Sequence, residues 1–257
     1  MMLVDYHVHA LAHGEYKGDR EWLSAFVEKA CNIGIVEMGF SEHDEFMAGL
    51  DPAVFQQVQG DYRQDIKLRL GIEIDYIPGK EAELAHMISQ VDYDYTIGSV
   101  HFIDGWAFDH PDYKELFGNR DIDAIYGRYA QILMQMADSR LFDIAGHIDL
   151  VKIWGHRPRQ RKAADYFRPV FAKIKQAGMT VEINSAGLRK PVGEIYPADE
   201  LLSILYEMNI PITLGSDAHH PDQMGAGLAE AREAAIKAGY KNITVFDQRR
   251  SSSIPIQ

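Results

Sequence analysis

Histidines and carboxylates recur in this chain where short apolar runs stop. The first run, Met2-Leu3-Val4-Asp5-Tyr6-His7-Val8-His9, reads as a buried strand closing on two imidazoles one residue apart. Side chains alternate faces along a strand, so His7 and His9 point the same way with Asp5 behind them, and neutral imidazoles so placed can hold a divalent metal. Later runs stop at Ser41-Glu42-His43, Glu73-Ile74-Asp75-Tyr76, His101, Gly146-His147-Ile148-Asp149 and Gly215-Ser216-Asp217-Ala218-His219-His220, and His13 lies in the loop after the first pair. A lone His or Glu at a strand end is commonly a hydrogen-bonding group. Nine of them (His7, His9, His13, His43, Glu73, His101, His147, Asp217 and His219) point instead to a common cation site.

Zinc takes about four protein ligands, or three plus water, so nine groups exceed one ion. Two or three clustered divalent ions account for the number, with Glu73 and Asp217 the carboxylates best placed to bridge. A nitrogen and oxygen set without thiolate suits Zn²⁺, Mn²⁺ or Fe²⁺, and the sequence does not choose among them. Asp5, Asp44 and Asp149 adjoin candidate ligands and are expected to orient imidazoles. His86 reads as structural, His110 beside Pro111 as a turn residue, and His156 and His220 as neighbours of the rim.

The elements that must position these groups alternate. Strands are predicted over 2–9, 35–40, 67–72, 95–100, 141–145, 180–184 and 212–214. Helices are predicted over 20–33, 51–66, 79–91, 122–139, 163–176, 198–208 and 227–238, the third with Ala82, Ala85, His86 and Ile88 among its inward residues. An aromatic excursion over 102–121 carries Trp106, Phe108, Tyr113 and Phe117. The loop after His147 is basic, with Lys152, His156, Arg157, Arg159, Arg161 and Lys162, and a short strand over 243–246 precedes a polar tail. Seven β-α alternations predict an α/β fold, a closed or nearly closed parallel barrel whose reacting groups sit at the C-terminal strand ends. One domain spanning 1–257 is expected, since barrels of this kind reach such a length as a unit.

A net charge of −12 and a pI near 5.3 give no footprint for extended nucleic acid. A small phosphate remains admissible where metals or local cations offset the field. The single cysteine, Cys31, cannot form an internal disulfide. With no secretory pattern and no apolar run of membrane-spanning length, the expectation is a cytoplasmic protein without membrane partners.

Taken in order, His7-Val8-His9, Ser41-Glu42-His43, Gly71-Ile72-Glu73-Ile74-Asp75-Tyr76, Ser99-Val100-His101-Phe102, Gly146-His147-Ile148-Asp149, Ala186-Gly187-Leu188-Arg189-Lys190 and Gly215-Ser216-Asp217-Ala218-His219 resemble the successive motifs of the polymerase and histidinol phosphatase (PHP) superfamily. They are most similar to its histidinol-phosphate phosphatase branch, over nearly the whole chain. The resemblance implies a distorted seven-stranded TIM-like (β/α)7 barrel with a trinuclear metal site. It assigns His7, His9, Glu73 and Asp217 to one metal, Glu73, His101 and His147 to a second, and His13, His43 and His219 to a third. It implies hydrolysis of a small phosphate monoester, L-histidinol phosphate foremost, with another small phosphorylated metabolite or nucleotide as the alternative. Clustered cations acidify water and so supply hydroxide near neutral pH. The resemblance implies Arg189 as a phosphate contact; Lys152 or Arg157, from the loop after His147, is the expected helper, and Asp217, His219 or a metal-bound water the source of the proton for the leaving alkoxide, among which the sequence does not decide.

Overall fold

Seven parallel strands carry the molecule, and a computed structural model describes residues 3–256; Met2, expected to open the first strand, lies outside them. In chain order the elements are β1 (Leu3–Asp5), α1 (Arg20–Asn32), β2 (Ile35–Phe40), α2 (Pro52–Asp61), β3 (Lys67–Asp75), α3 (Glu81–Ile88), β4 (Tyr95–Ser99), β5 (Phe102–Ile103), β6 (Trp106–Ala107), α4 (Ile122–Ser139), β7 (Ile144–Ala145), α5 (Ala163–Ala177), β8 (Thr180–Asn184), α6 (Asp199–Glu207), β9 (Ile212–Gly215), α7 (Leu228–Ala238), β10 (Asn242–Asp247) and β11 (Arg250–Pro255). The sheet order is β1-β2-β3-β4-β7-β8-β9. The seam between β9 and β1 is drawn together just past β1: the Tyr6 amide donates to Leu214 O at 3.0 Å, the His9 amide to Ala218 O at 2.8 Å, and Val8 bridges Ala218. The expected α/β barrel is present, nearly closed, and each strand's C-terminal end feeds the same rim.

Local chemistry starts and stops the helices where the barrel needs them. The carboxylates of Asp19, Asp51 and Asp121 accept the first free amides of α1, α2 and α4, at Trp22, Ala53 and Asp123, and Pro52 opens α2 with φ already set for a helix. Gly178, in the left-handed region, ends α5 and turns the chain into β8. Tyr95 lies so close over β2 and β3 that a Cβ at Gly39 would sit 2.1 Å from its hydroxyl, and one at Gly71 2.2 Å from its ring. Buried apolar residues form one continuous cluster from Leu3 to Ile256.

Several boundaries differ from the sequence reading. α2 ends at Asp61 rather than 66, because the chain turns at Tyr62 to bring Ile66 into the core ahead of β3. α3 is confined to Glu81–Ile88 and buries only Leu84, so Ala82 and His86 face outward. β3 runs on through Glu73 to Asp75, and β7 shortens to Ile144–Ala145 after a left-handed turn at Arg140. The aromatic excursion contains the β5-β6 hairpin and a run of 3-10 turns over Pro111–Asn119, with Trp106 and Phe117 packed 4.7 Å apart. The tail is no coil: β11 pairs antiparallel with β10 along its length. Among the described residues no helix is long and apolar enough to cross a membrane.

Candidate metal centre

Six of the seven barrel strands bring candidate ligands to the rim, each by the length at which it stops. β1 ends at Asp5, so His7 and His9 extend past it on one face with rings 4.9 Å apart, both fully buried. His43, just beyond β2, bridges to Glu73 in the continuing β3. His101 and His147 follow β4 and β7, and Asp217 and His219 follow β9.

Glu73 is the hub. Its Oε2 lies 3.2 Å from His7 Nε2, 3.4 Å from His9 Nε2 and 3.0 Å from His43 Nδ1, while its Oε1 lies 3.0 Å from His147 Nε2 and 3.8 Å from His101 Nε2. One oxygen thus faces one set of imidazoles and the other faces a second set, the arrangement of a bridging carboxylate. Asp217 closes the far side, with Oδ1 3.5 Å from both His9 Nε2 and His219 Nδ1. Its φ of +54° is left-handed, a conformation Asp tolerates better than most residues and one that recurs at functional sites.

Three tight donor groups result: His7, His9 and Asp217; His7, Glu73 and His147; and His9, His43 and His219. The first falls within the first expected set, and the second takes His7 in place of His101 beside Glu73 and His147. The third takes His9 in place of His13, whose ring stands at the outer edge, 5.4 Å from His43 and 4.9 Å from His219, because it rides on an exposed loop. The donors suit a divalent cation. Buried His7 Nε2, both ring nitrogens of His9 and His147 Nδ1 make no hydrogen bond, and His101 Nε2 approaches His147 Nε2 to 3.3 Å, a contact suited to two lone pairs sharing a cation.

Electrostatics follow from this crowding. Desolvation favours neutral His7, but Glu182, Glu73 and Asp217 outweigh it and hold its pKa well above the ordinary value. His101 is likewise raised, against desolvation, by Asp75 and Glu73. Desolvation and the neighbouring His43 and His219 hold His9 well below. Desolvation would raise Glu73 and Asp217, yet surrounding imidazoles keep both carboxyls well below the usual range.

Sequence reasoning missed the groups that aim the imidazoles. Glu182 on β8 accepts from His7 Nδ1 at 2.7 Å and from the His147 amide at 2.8 Å, and Asp75 pairs with His101 Nδ1. The three aspartates expected in that role do other work. Asp5 accepts from the Ser216 amide and hydroxyl, Asp149 pairs with Lys152 and caps Ala198, and Asp44 makes no imidazole hydrogen bond. Glu182 sits within a strand and faces partners 175 and 35 residues away; its one signal was an acidic residue in an otherwise apolar run.

A cavity of about 760 Å³ opens over the cluster, lined by His13, His43, Glu73, His101, His147, Asp217 and His219 together with Arg189, Lys190, Tyr196 and Asp109. Arg189 lines it as expected, and its guanidinium is also tied to the carbonyls of Ser216, Asp217 and Ala226. Three of five N–H donors are so used, leaving two for an incoming oxygen. The basic loop is displaced from this cavity. Lys152 is buried on Asp149, Glu194 and Ile195 O, and Arg157 pairs with Glu194 at 2.7 Å, so their charges are already met and both line a separate cavity of about 360 Å³. His110 caps the turn at Asp112, as read, and also lines the main cavity; His156 and His220 do not line it.

Barrel and donor set together define a protein built to hold clustered divalent metals at the C-terminal ends of its strands. The chain belongs to the PHP domain family, whose model matches residues 5–186; Asp217 and His219 lie beyond the matched span. It is 33% identical over 256 residues to the probable histidinol-phosphatase of Deinococcus radiodurans, covering 94% of this chain and 96% of that one. The crystal structure of histidinol phosphate phosphatase from Lactococcus lactis, complexed with zinc, L-histidinol and phosphate, matches with a TM-score of 0.79 at 22% identity over 98% of this chain and all of that one. The crystal structure of a Listeria monocytogenes protein described as a putative histidinol phosphatase matches with a TM-score of 0.74 at 20% identity, covering 88% of this chain and 99% of that one.

Proposed function

We propose that this chain is a metal-dependent phosphoric monoester hydrolase that converts L-histidinol phosphate to L-histidinol and phosphate. The observation that carries the reading is the hub geometry of Glu73, two oxygens facing two sets of imidazoles at the floor of a cavity whose wall offers Arg189 and Lys190. The 33% identical relative bears the same activity in its name. His7, His9, His43, Glu73, His101, His147, Asp217 and His219, with His13 at the edge, would hold divalent cations, which when bound would supply charge neutralisation for the phosphoryl group and a water made nucleophilic near neutral pH.

The chain's own groups do the rest. Glu182 and Asp75 fix the tautomers of His7 and His101 by accepting hydrogen bonds from their Nδ1–H groups, so each Nε2 is presented to the hub. The two unused Arg189 donors reach equatorial phosphoryl oxygens as charge develops. Asp217 and His219 both face the cavity; with the Asp217 carboxyl held ionised by the imidazoles around it, His219 is the one able to pass a proton to the departing alkoxide. Asp109, half-buried in the cavity wall and free of hydrogen bonds among the described residues, gives the substrate's ammonium an anionic partner. The unpaired Cys31 suits a reducing cytoplasm, where amino-acid biosynthesis proceeds.

The test is an assay of zinc- or manganese-loaded protein against L-histidinol phosphate, an aryl phosphate and a cyclic amide. Phosphate release from histidinol phosphate well above that from the aryl ester is the expected result. Turnover of the amide with neither phosphate cleaved overturns the reading.

A further inference from the structure

Glu42 precedes a ligand but is not one. Its side chain is fully buried and turns away from the cavity toward the segment joining His9 to His13. Oε1 accepts the Ala10 amide at 2.6 Å, and the Leu11 amide lies 3.2 Å from each carboxyl oxygen. Trp22 holds the same segment by donating its indole N–H to Ala10 O at 2.6 Å. Beyond this point Ala12 takes a left-handed φ of +50° and its amide returns to His9 O, reversing the chain so that the His13 ring stacks toward His43 and His219. The other eight ligands stand on a barrel strand or within four residues of its end. His13 alone stands on a loop with no ladder of its own.

Packing does not call for a carboxyl here. A leucine would fill the space. It would leave two buried amides without an acceptor, which is the costly condition for a backbone group.

We propose that Glu42 is a positioning residue: its carboxyl fixes the Ala10-Leu11 backbone so that His13 completes the cation subsite formed with His43 and His219. The two subsites that share Glu73 do not depend on this clamp, so the His13 subsite is the one lost when the clamp is removed. The inference rests on the metal-centre reading and is independent of the substrate.

Metal-stripped protein is loaded with Zn²⁺, freed of excess by gel filtration, and its zinc per chain measured for wild type, Glu42→Leu, Glu42→Gln and His13→Asn. Leucine removes the acceptors and keeps the volume; glutamine keeps a carbonyl oxygen for both amides. Glu42→Leu is expected to lose a single zinc equivalent, as His13→Asn does, while Glu42→Gln keeps the wild-type content. Wild-type content in Glu42→Leu, equal loss in the Leu and Gln variants, or loss of all zinc from a folded Leu variant each overturns the proposal. Should the Leu variant not fold, amide exchange in metal-free wild type decides: Ala10 and Leu11 protected supports the clamp, and both exchanging at the rate of free loop overturns it.

Discussion

Glu73 sits among five imidazoles, those of His7, His9, His43, His101 and His147, and the protonation of that group governs how metal enters. Imidazoles bind metal only when neutral, so ligands with raised pKa must lose a proton on loading. His7, His43 and His101 are raised, against desolvation, by Glu182, Glu73 and Asp75 respectively, whereas His9 is lowered and has no proton to give. The sign follows: near pH 7 zinc binding acidifies a weakly buffered solution, and the effect fades as pH rises past the three raised values. Asp75→Asn removes the first carboxylate that raises His101, so its release is expected to be smaller than wild type's at matched zinc occupancy. A pH-indicator titration of chelator-stripped protein reads this, and equal release by the two proteins refutes it. All nine candidate ligands were legible as residue types, eight at or near strand ends and His13 in the loop after the first pair. Asp75 and Glu182 were not legible as partners, because the contact that gives Glu182 its role joins positions 175 apart and exists only once the barrel has closed.

Strand β9 shows how an element's backbone shape serves the site. It ends at Gly215, where a Cβ would sit 2.0 Å from Glu182 Oε1 and 2.7 Å from His7 Cβ. A glycine is needed there so that the carboxylate of β8 can pass between the strands to reach His7 Nδ1 and the His147 amide. Gly215→Ala is therefore expected to displace Glu182 and lower zinc affinity about 10–100-fold, as loss of a partner that orients a ligand does. Its effect on stability stays in the range of about 1–3 kcal/mol for overpacking. Isothermal titration beside thermal melting separates the two, and unchanged affinity would show that Glu182 reaches His7 by another route. Periodicity located all seven barrel strands because each is a short apolar run ending in a polar group. It overran α2 and α3, whose helices stop at Asp61 and Ile88, because Ile66 and Val91 beyond the turns at Tyr62 and Ser89 sit at helical spacing in the sequence.

The C-terminal hairpin explains why the barrel needs chain beyond its last strand. Ile243, Val245, Phe246 and Ile256 are buried. The Phe246 amide donates to Tyr6 Oη, Thr213 Oγ1 donates to Thr244 O, and the Gln248 and Arg249 amides bind Asp94, just ahead of β4. Asp247 pairs with Arg69 near the start of β3, and Arg249 pairs with Asp143 just ahead of β7. The hairpin thus caps the N-terminal ends of the strands, opposite the metal site, and Phe246 packs on Tyr6 and Tyr95 across the barrel floor. Composition hid this, since Gln248 to Ser253 reads as polar tail, and only the pairing of β11 with β10 makes a strand of it. Burying a large apolar side chain stabilises by about 1.5–3 kcal/mol, so four of them approach the whole stability of a domain, about 5–15 kcal/mol. Deletion of residues 241–257 is accordingly expected to leave a chain without a cooperative thermal transition, even with zinc present. A truncated protein that melts within a few degrees of the intact one and binds its full zinc content would show that the barrel stands without its cap.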